Sequence, residues 1–445
     1  MDNTKELELR PIHYLGSKLR ILECIKEIID EIEPTKGKVV DLFSGSGTVS
    51  KYLSKERSVV AVDIQEYSRV ICSALLNPIK FEVSITDFLR TSFNTIHSSN
   101  LIEATKKLVE FEEDLYNNPS EENIITICEL VEDGSLIALE NRLSKIKNVK
   151  IKEILNQTLK NLNDYNYLTT TEAMITRYFG GTYFSYKQAI ELDIILNNIH
   201  NLPLEKKDTF LAILLSVASE LVNTVGKQFA QPLKTLDSNG VPKKNIEKKI
   251  LKDRKLNVKE FFIKWGKIYQ DQTETCYENK VYKLDVNKAL DIIDNDVKIV
   301  YADPPYTRYH YSRYYHVLET IALRDNPEVL KTKIKGEIGI SRGIYRADRY
   351  QSVFSIKTQA KEAYKVLFEK ISKRKIPLIL SYSPFDSTKK TTPRICSIEE
   401  LKEIAENYFN TVKIVTVGQF IHSKLNKSTY HLEASDEAEI LIICK

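Results

Sequence analysis

The tetrapeptide Asp303-Pro304-Pro305-Tyr306 ends an apolar, β-branched run, VKIVYA, so it stands where a buried strand delivers its last residues to a sheet edge. Proline fixes φ and lacks an N–H. The segment is therefore stiff and presents two acceptors, the Asp303 carboxylate and the Pro304 carbonyl, beside the ring of Tyr306. Two acceptors and one aromatic face suit a planar base with an exocyclic amine, an acceptor for each amine hydrogen and a ring for stacking. The lone pair of such an amine is conjugated into the base and is a poor nucleophile. Directed acceptors favour a pyramidal nitrogen and stabilise the positive charge that develops during attack on a methyl donor. No covalent enzyme intermediate is needed, and water suffices to take the final proton. A Pro-Pro turn without chemistry is the alternative.

A second constellation lies in VVDLFSGSGTVS, residues 39–50: a strand, a turn with Gly45 and Gly47, and a helix start. Glycines let backbone approach a ligand, and a helix N-terminus attracts polar or negative groups. The pattern is neither GxGxxG nor a Walker loop, because no GK[ST] follows. It is also compatible with a tight turn that holds nothing. Asp63 ends the next strand about twenty residues on, where an acid can hydrogen-bond ribose hydroxyls or cap a helix.

The elements that must position these residues follow from periodicity. Residues 38–43, 58–63, 297–303 and 376–382 are short β-branched runs suited to strands buried on both faces. Helical patterns at 48–54 and 66–76 separate some of them, which predicts βαβ units and an α/β fold. The last two runs, TVKIVTV and EILIIC, predict an antiparallel hairpin that closes the sheet. Between about 90 and 275 long charged helical patterns replace this rhythm, which predicts a helical insertion. Within it, residues 222–244 are polar, hold Gly and Pro, and read as a long exposed loop leading into a basic run.

Net charge over the 445 residues is only +4, so composition alone argues for no nucleic-acid partner. The distribution is uneven: residues 101–140 hold eleven acids against two lysines, and 241–264 hold nine Lys/Arg against three acids. Six scattered cysteines without CxxC or zinc spacing predict reduced thiols and no metal site. With no signal peptide and no apolar span of membrane length, a soluble cytoplasmic protein is expected.

Together these segments resemble the Dam-like adenine-specific DNA methyltransferases. The glycine motif matches residues 41–47, the catalytic tetrapeptide matches 303–306, and IHYLGSK at 12–18 looks like the family's aromatic-x-G-x-K segment. The stretch at 180–193 resembles the family's GxYFS segment. The resemblance implies an α/β, Rossmann-like methyltransferase with a mixed sheet and helices on both faces, plus a mostly helical insertion serving as target-recognition region. It implies a catalytic domain at 1–90 and 275–445, an insertion at 91–274, and the alpha-type motif order. The implied donor is S-adenosylmethionine, touched by Tyr14, Gly16, Lys18, Asp41, Phe43, Gly45, Gly47, Asp63, Asp285 and Asp303. Asp303, Pro304, Pro305 and Tyr306 carry the implied catalysis. The motifs leave residues 100–175 without a role.

An adenine in a duplex must be extruded before its amine can react. Gln228 and Gln231 can read adenine edges, or simply satisfy their own loop. Lys243 and Lys244, with Lys248, Lys249 and Lys252, suit phosphates, or form a solvated helix face. Arg308 and the loop carrying Arg342, Arg346 and Arg349 suit phosphate contact and stacking, though a solvated loop fits the latter equally. His310 and His316 suit packing or DNA contact rather than metal, and the loop 421–431 is expected along DNA. The expected activity is N6-methylation of a flipped-out adenine in double-stranded DNA at a short specific sequence, in a restriction-modification or related system with a separate endonuclease. A fused nuclease is not expected, since the motifs begin near residue 12 and the catalytic sheet runs to the end. The alternatives are adenine-N6 methylation of ribosomal RNA, N4-cytosine methylation, and a catalytically silent DNA-binding subunit marked by eroded motifs. C5-cytosine methylation is disfavoured because no Pro-Cys pair is present.

Overall fold

The computed structural model describes residues 9–308, 310–334, 337–383, 394–416 and 439–445. The chain divides into two compact units. One comprises Met1–Pro78, Gln272–Ser312 and Tyr350–Lys445; the other comprises Ile79–Asp271 and Arg313–Arg349.

The strands in chain order are β1 Lys38–Leu42, β2 Val59–Asp63, β3 Lys280–Lys283, β4 Val297–Ala302, β5 Lys331–Ile334, β6 Glu337–Ile340, β7 Leu378–Tyr382, β8 Val412–Thr416 and β9 Ile440–Cys444. Seven of them form the sheet of the first unit in the order β3-β2-β1-β4-β7-β9-β8. All neighbours are parallel up to β7, and β9 runs antiparallel to both β7 and β8. The expected closing hairpin is thus present, with β9 inserted beside β7.

The β-branched runs are explained by burial on both faces. Val40, Leu42, Val60, Val62 and Val300 pack toward the helices Val286–Ile292 and Ala360–Lys373. Their alternates Val39, Val59, Ala61 and Ile299 pack toward the helix Leu22–Ile32. The chain steps outward from β1 to β2 and β3 in one direction and from β4 to β7 in the other. The order therefore reverses between β1 and β4, where open α/β sheets bind ligands. Leu42 pairs with Ala302, so Phe43 and Asp303 leave adjacent strands side by side, and the Asp303 amide donates to the Leu42 carbonyl at 3.3 Å.

The second unit is mostly helical, with the two-stranded β5–β6 ladder added. Several of its helices start on side-chain caps, including the reciprocal pairs Thr95/Ser98 and Ser185/Gln188. The segment 222–244 departs from the exposed loop expected of it. Residues 222–224, 228–230, Leu233 and Thr235 are buried. The cause lies elsewhere in the unit. The Glu132 carboxylate accepts the amides of Thr235 at 2.6 Å and Leu236 at 2.8 Å, and the Lys227 ammonium meets Asp253 at 2.7 Å. Acids on two separate helices, Glu132 and Asp253, hold this irregular backbone in place.

Candidate active site

At the end of β1 the chain turns sharply. Phe43 takes φ +65°, a region that bulky residues rarely adopt, and Gly45 and Gly47 follow at +54° and +73°. The turn is stapled to the neighbouring strand and the helix that follows it: the Gly45 amide donates to Asp63 Oδ2 at 2.9 Å, and Ser68 Oγ donates to the Gly45 carbonyl at 2.6 Å. A Cβ on Gly45 would lie 2.5 Å from the Tyr14 hydroxyl oxygen, so only glycine lets that ring rest on the turn.

In front of the turn lies an open cavity of about 910 Å³, solvent included. Tyr14, Gly16, Lys18, Phe43, Asp63, Asp285 and the tetrapeptide from Asp303 to Tyr306 all line it. Beyond β2 and β3 its walls are apolar, made by Ile64, Leu284 and Val286 with Phe354, which meets Phe43 edge-on at 5.2 Å. Asp285 caps its helix through the Asn287 amide at 2.9 Å. Tyr350 stands beside it, its phenol pushed up to about 12 by burial and by Asp285. Two hydroxyls lining the cavity, Ser312 Oγ and Ser352 Oγ, are buried without a hydrogen-bond partner, a state that a polar ligand would relieve. An elongated ligand with one flat apolar end and hydroxyls along its length fits this lining.

On the β4 side the tetrapeptide meets a buried ionic cluster. Lys18 Nζ lies 2.7 Å from Asp303 Oδ2 and 3.1 Å from Glu439 Oε1. Burial works against the charge on Lys18, yet the two carboxylates hold its pKa well above the ordinary lysine value. The Tyr306 ring is buried against Tyr382 at 5.1 Å, with the Arg394 guanidinium 4.9 Å from its centroid. Arg394 in turn donates to the Ser383 carbonyl at 3.0 Å and hydroxyl at 2.8 Å. All four residues of the tetrapeptide thus line the same cavity as Phe43 at the head of the glycine turn.

Three further residues expected at the cofactor are not among those lining the cavity: Asp41 is buried in β1, and Gly45 and Gly47 lie in the turn after Phe43. Arg308 is exposed. In the second unit Gln231, Lys243 and Lys244 are exposed, whereas Gln228 is buried. Arg346 is also buried, forked onto Asp325 at 2.7 and 2.8 Å and paired with Asp348. Arg342 donates to the Leu233 carbonyl at 2.6 Å, and Arg349 stacks over Tyr345 at 4.9 Å. His316 is enclosed by Phe179, Tyr183 and Tyr345, and burial pushes its pKa down to about 3. The loop 421–431 lies outside the described residues.

Glu439, Arg394, Tyr350 and Ser352 are site residues that the motifs did not mark. Tyr350 and Ser352 close the arginine-rich stretch read as a DNA loop, and a break in its arginine pattern is the one signal they carry. Among the described residues no group of three or more His, Cys, Asp or Glu could hold a metal ion, and no helix is long and apolar enough to cross a membrane.

The chain is 25% identical over 440 residues to the modification methylase LlaI of Lactococcus lactis subsp. lactis, covering 98% of this chain and 55% of that protein. It is 24% identical over 384 residues to the type II methyltransferase M.FokI of Planomicrobium okeanokoites, with coverage of 84% and 44%. It is also 24% identical over 435 residues to the modification methylase StsI of Streptococcus sanguinis, with coverage of 95% and 51%. The chain thus spans about half the length of these relatives. The sequence profile of the D12 class N6 adenine-specific DNA methyltransferases matches residues 14–207 and 239–376, through the acidic stretch that the motifs left unassigned. With most of its length matched, and with its DPPY segment and Phe43, at the head of the glycine turn, lining one cavity, the chain belongs to the D12 class of N6 adenine-specific DNA methyltransferases.

Proposed function

We propose that this chain transfers a methyl group from S-adenosylmethionine to N6 of an adenine flipped out of double-stranded DNA at a specific sequence, as the modification half of a restriction-modification system. One observation carries the reading: Asp303 and Phe43, the residue that opens the glycine turn, leave adjacent parallel strands and line the same cavity. When bound, S-adenosylmethionine supplies a methyl group made electrophilic by its sulfonium. The residues here do the rest. Asp303 and the Pro304 carbonyl each take one amine hydrogen, aim the nitrogen lone pair into the cavity and stabilise its growing charge. Tyr306 offers the aromatic surface for the base. Asp63 lines the cavity and is the candidate for the donor's ribose hydroxyls. Asp285 and Tyr350, between apolar walls, suit the donor's adenine, and Ser312 and Ser352 offer the hydroxyls that need partners.

Gln231, Lys243, Lys244 and Arg308 are the exposed candidates for DNA contact. The relatives' names, modification methylases, support a modifying role, and a separate endonuclease belongs to the proposal. An intracellular site of action follows from that substrate.

The test is long-read sequencing of DNA from cells that express the wild type or Asp303→Ala. A modified adenine motif should appear with the wild type only, and the purified variant should lose at least about a hundredfold in turnover while still binding the donor. Equal methylation by the variant would remove Asp303 from the chemistry, and modification of ribosomal RNA in place of DNA would change the substrate.

A further inference from the structure

Of the arginines between residues 342 and 349, two are paired with acids inside the second unit. Arg346 is forked onto Asp325 and paired with Asp348, and Arg342 lies 3.8 Å from Glu132. Arg349 has no such acid among the described residues. Its Nε donates to the Arg346 carbonyl at 3.1 Å, its Nη1 is buried without an acceptor, and its Cζ lies 4.9 Å from the centroid of the Tyr345 ring. A second cation shares that ring. Arg313, on the helix Tyr311–Leu323, has its Cζ 4.8 Å from the same centroid and donates to the Tyr345 hydroxyl at 3.0 Å. No acid stands within one helical turn of Arg313 in the sequence, and no ion pair involves it among the described residues. The third group on the ring, His316 at 4.9 Å, adds no charge, because burial holds it neutral.

Two guanidiniums on one buried tyrosine repel each other and lose hydration without gaining an anion. Burial pushes the pKa of Arg349 down and the charge of Arg313 adds to the fall, with the Tyr345 phenol working against them. The aromatic face offsets part of that cost. An anion with several oxygens would offset the rest. Planar guanidiniums match phosphate oxygens through paired hydrogen bonds, and stacking on a ring fixes their planes beforehand. Arg313 is exposed and Arg349 half-buried, so solvent-borne groups reach the pair. Members of this DNA-modifying family meet such oxygens along the backbone of the duplex. We propose that Arg313 and Arg349, mounted on Tyr345, bind backbone phosphates of the DNA. The inference rests on the DNA substrate proposed above, and it separates Arg349 from Arg342 and Arg346, whose charges are met within the protein.

The test uses duplexes that carry the modified sequence and have one uncharged methylphosphonate linkage at a time. Fluorescence anisotropy would measure their affinity for the wild type, Arg313→Gln and Arg349→Gln. Each variant should bind the unaltered duplex about threefold to thirtyfold more weakly. For the wild type, one or two linkages should matter by a similar factor, and at those linkages the same variants should lose less than about twofold. Residues that only pack would weaken binding to every duplex by one common factor. That result, or variants within about twofold of the wild type on the unaltered duplex, overturns the proposal. Should Arg349→Gln not fold, Arg313→Gln, at an exposed position, carries the test alone. If the wild type methylates no DNA, the proposed activity fails, while salt dependence on an arbitrary duplex still reports on the pair. The slope of log affinity against log salt should become shallower by about 1 for each arginine replaced, and an unaltered slope counts against the site.

Discussion

Asp41 lies near the end of β1, 1% exposed, with Ser50 of the following helix donating to its carboxylate. Burial pushes its pKa up to about 7, against the Ser50 hydrogen bond, and the carboxylates of Asp303 and Asp63 add to the rise. The folded state therefore holds this proton more tightly than the unfolded chain, whose value is 3.8. The contribution to stability is complete below about pH 4 and is lost as pH rises through about 7. Asp41→Asn can still accept from Ser50 and carries no charge. Between about pH 5 and about pH 8 the wild type should lose up to a few kcal/mol relative to that variant, read from urea midpoints. Parallel pH profiles would show that Asp41 does not titrate in this window. Asp41, Lys18 and Asp303 could be found in the sequence because each sits in a short motif of fixed spacing. Glu439 could not: it touches Lys18 only once β9 has paired with β7, and nothing local separates it from the other acids of its polar stretch. The left-handed backbone of Phe43 was equally hidden, since its residue type argues against that conformation.

Among the elements, the acidic helix Ile96–Asn117 and the basic helix Ile246–Arg254 meet inside the second unit through Glu112 and Arg254, whose side chains are 1% and 0% exposed. The guanidinium lies 3.3 Å from the carboxylate, donates to Tyr116 at 3.2 Å and also reaches the Gly181 and Thr182 carbonyls. Arg254→Met keeps the stem and leaves Glu112 buried without its cation. A loss of roughly 3–5 kcal/mol is expected, measured by denaturant unfolding. A loss under about 1 kcal/mol would mean that Tyr116 and the Tyr186 amide satisfy Glu112 unaided. Helical periodicity made these helices legible, and β-branched runs made the strands so. The burial of much of 222–235 was not legible, because a polar loop is drawn inward by acids distant in sequence, Glu132 and Asp253, whose targets include backbone amides that leave no trace in residue type.

Over the whole molecule, a net charge of +4 conceals local concentration. Part of the acidic stretch is used internally, as Glu112 and Glu132 show, whereas Lys243, Lys244, Lys248, Lys249 and Lys252 remain exposed. If these lysines track phosphates, replacing Lys243 and Lys244 with Gln should weaken binding to all duplexes alike. The slope of log affinity against log salt should become shallower by up to about 2. Fluorescence anisotropy over a salt series reads that slope, and an unaltered one would place the two lysines off the DNA path. The order of the sheet carries a consequence for synthesis. β4, its middle member, is translated long after β1, the strand it must lie against. Until then β1 presents an unprotected edge, a template for adhesion to other nascent chains. The site thus comes into being late, when one strand slots between partners from opposite ends of the polypeptide. Interrupted translation would leave a fragment that carries the glycine turn and yet is prone to clump.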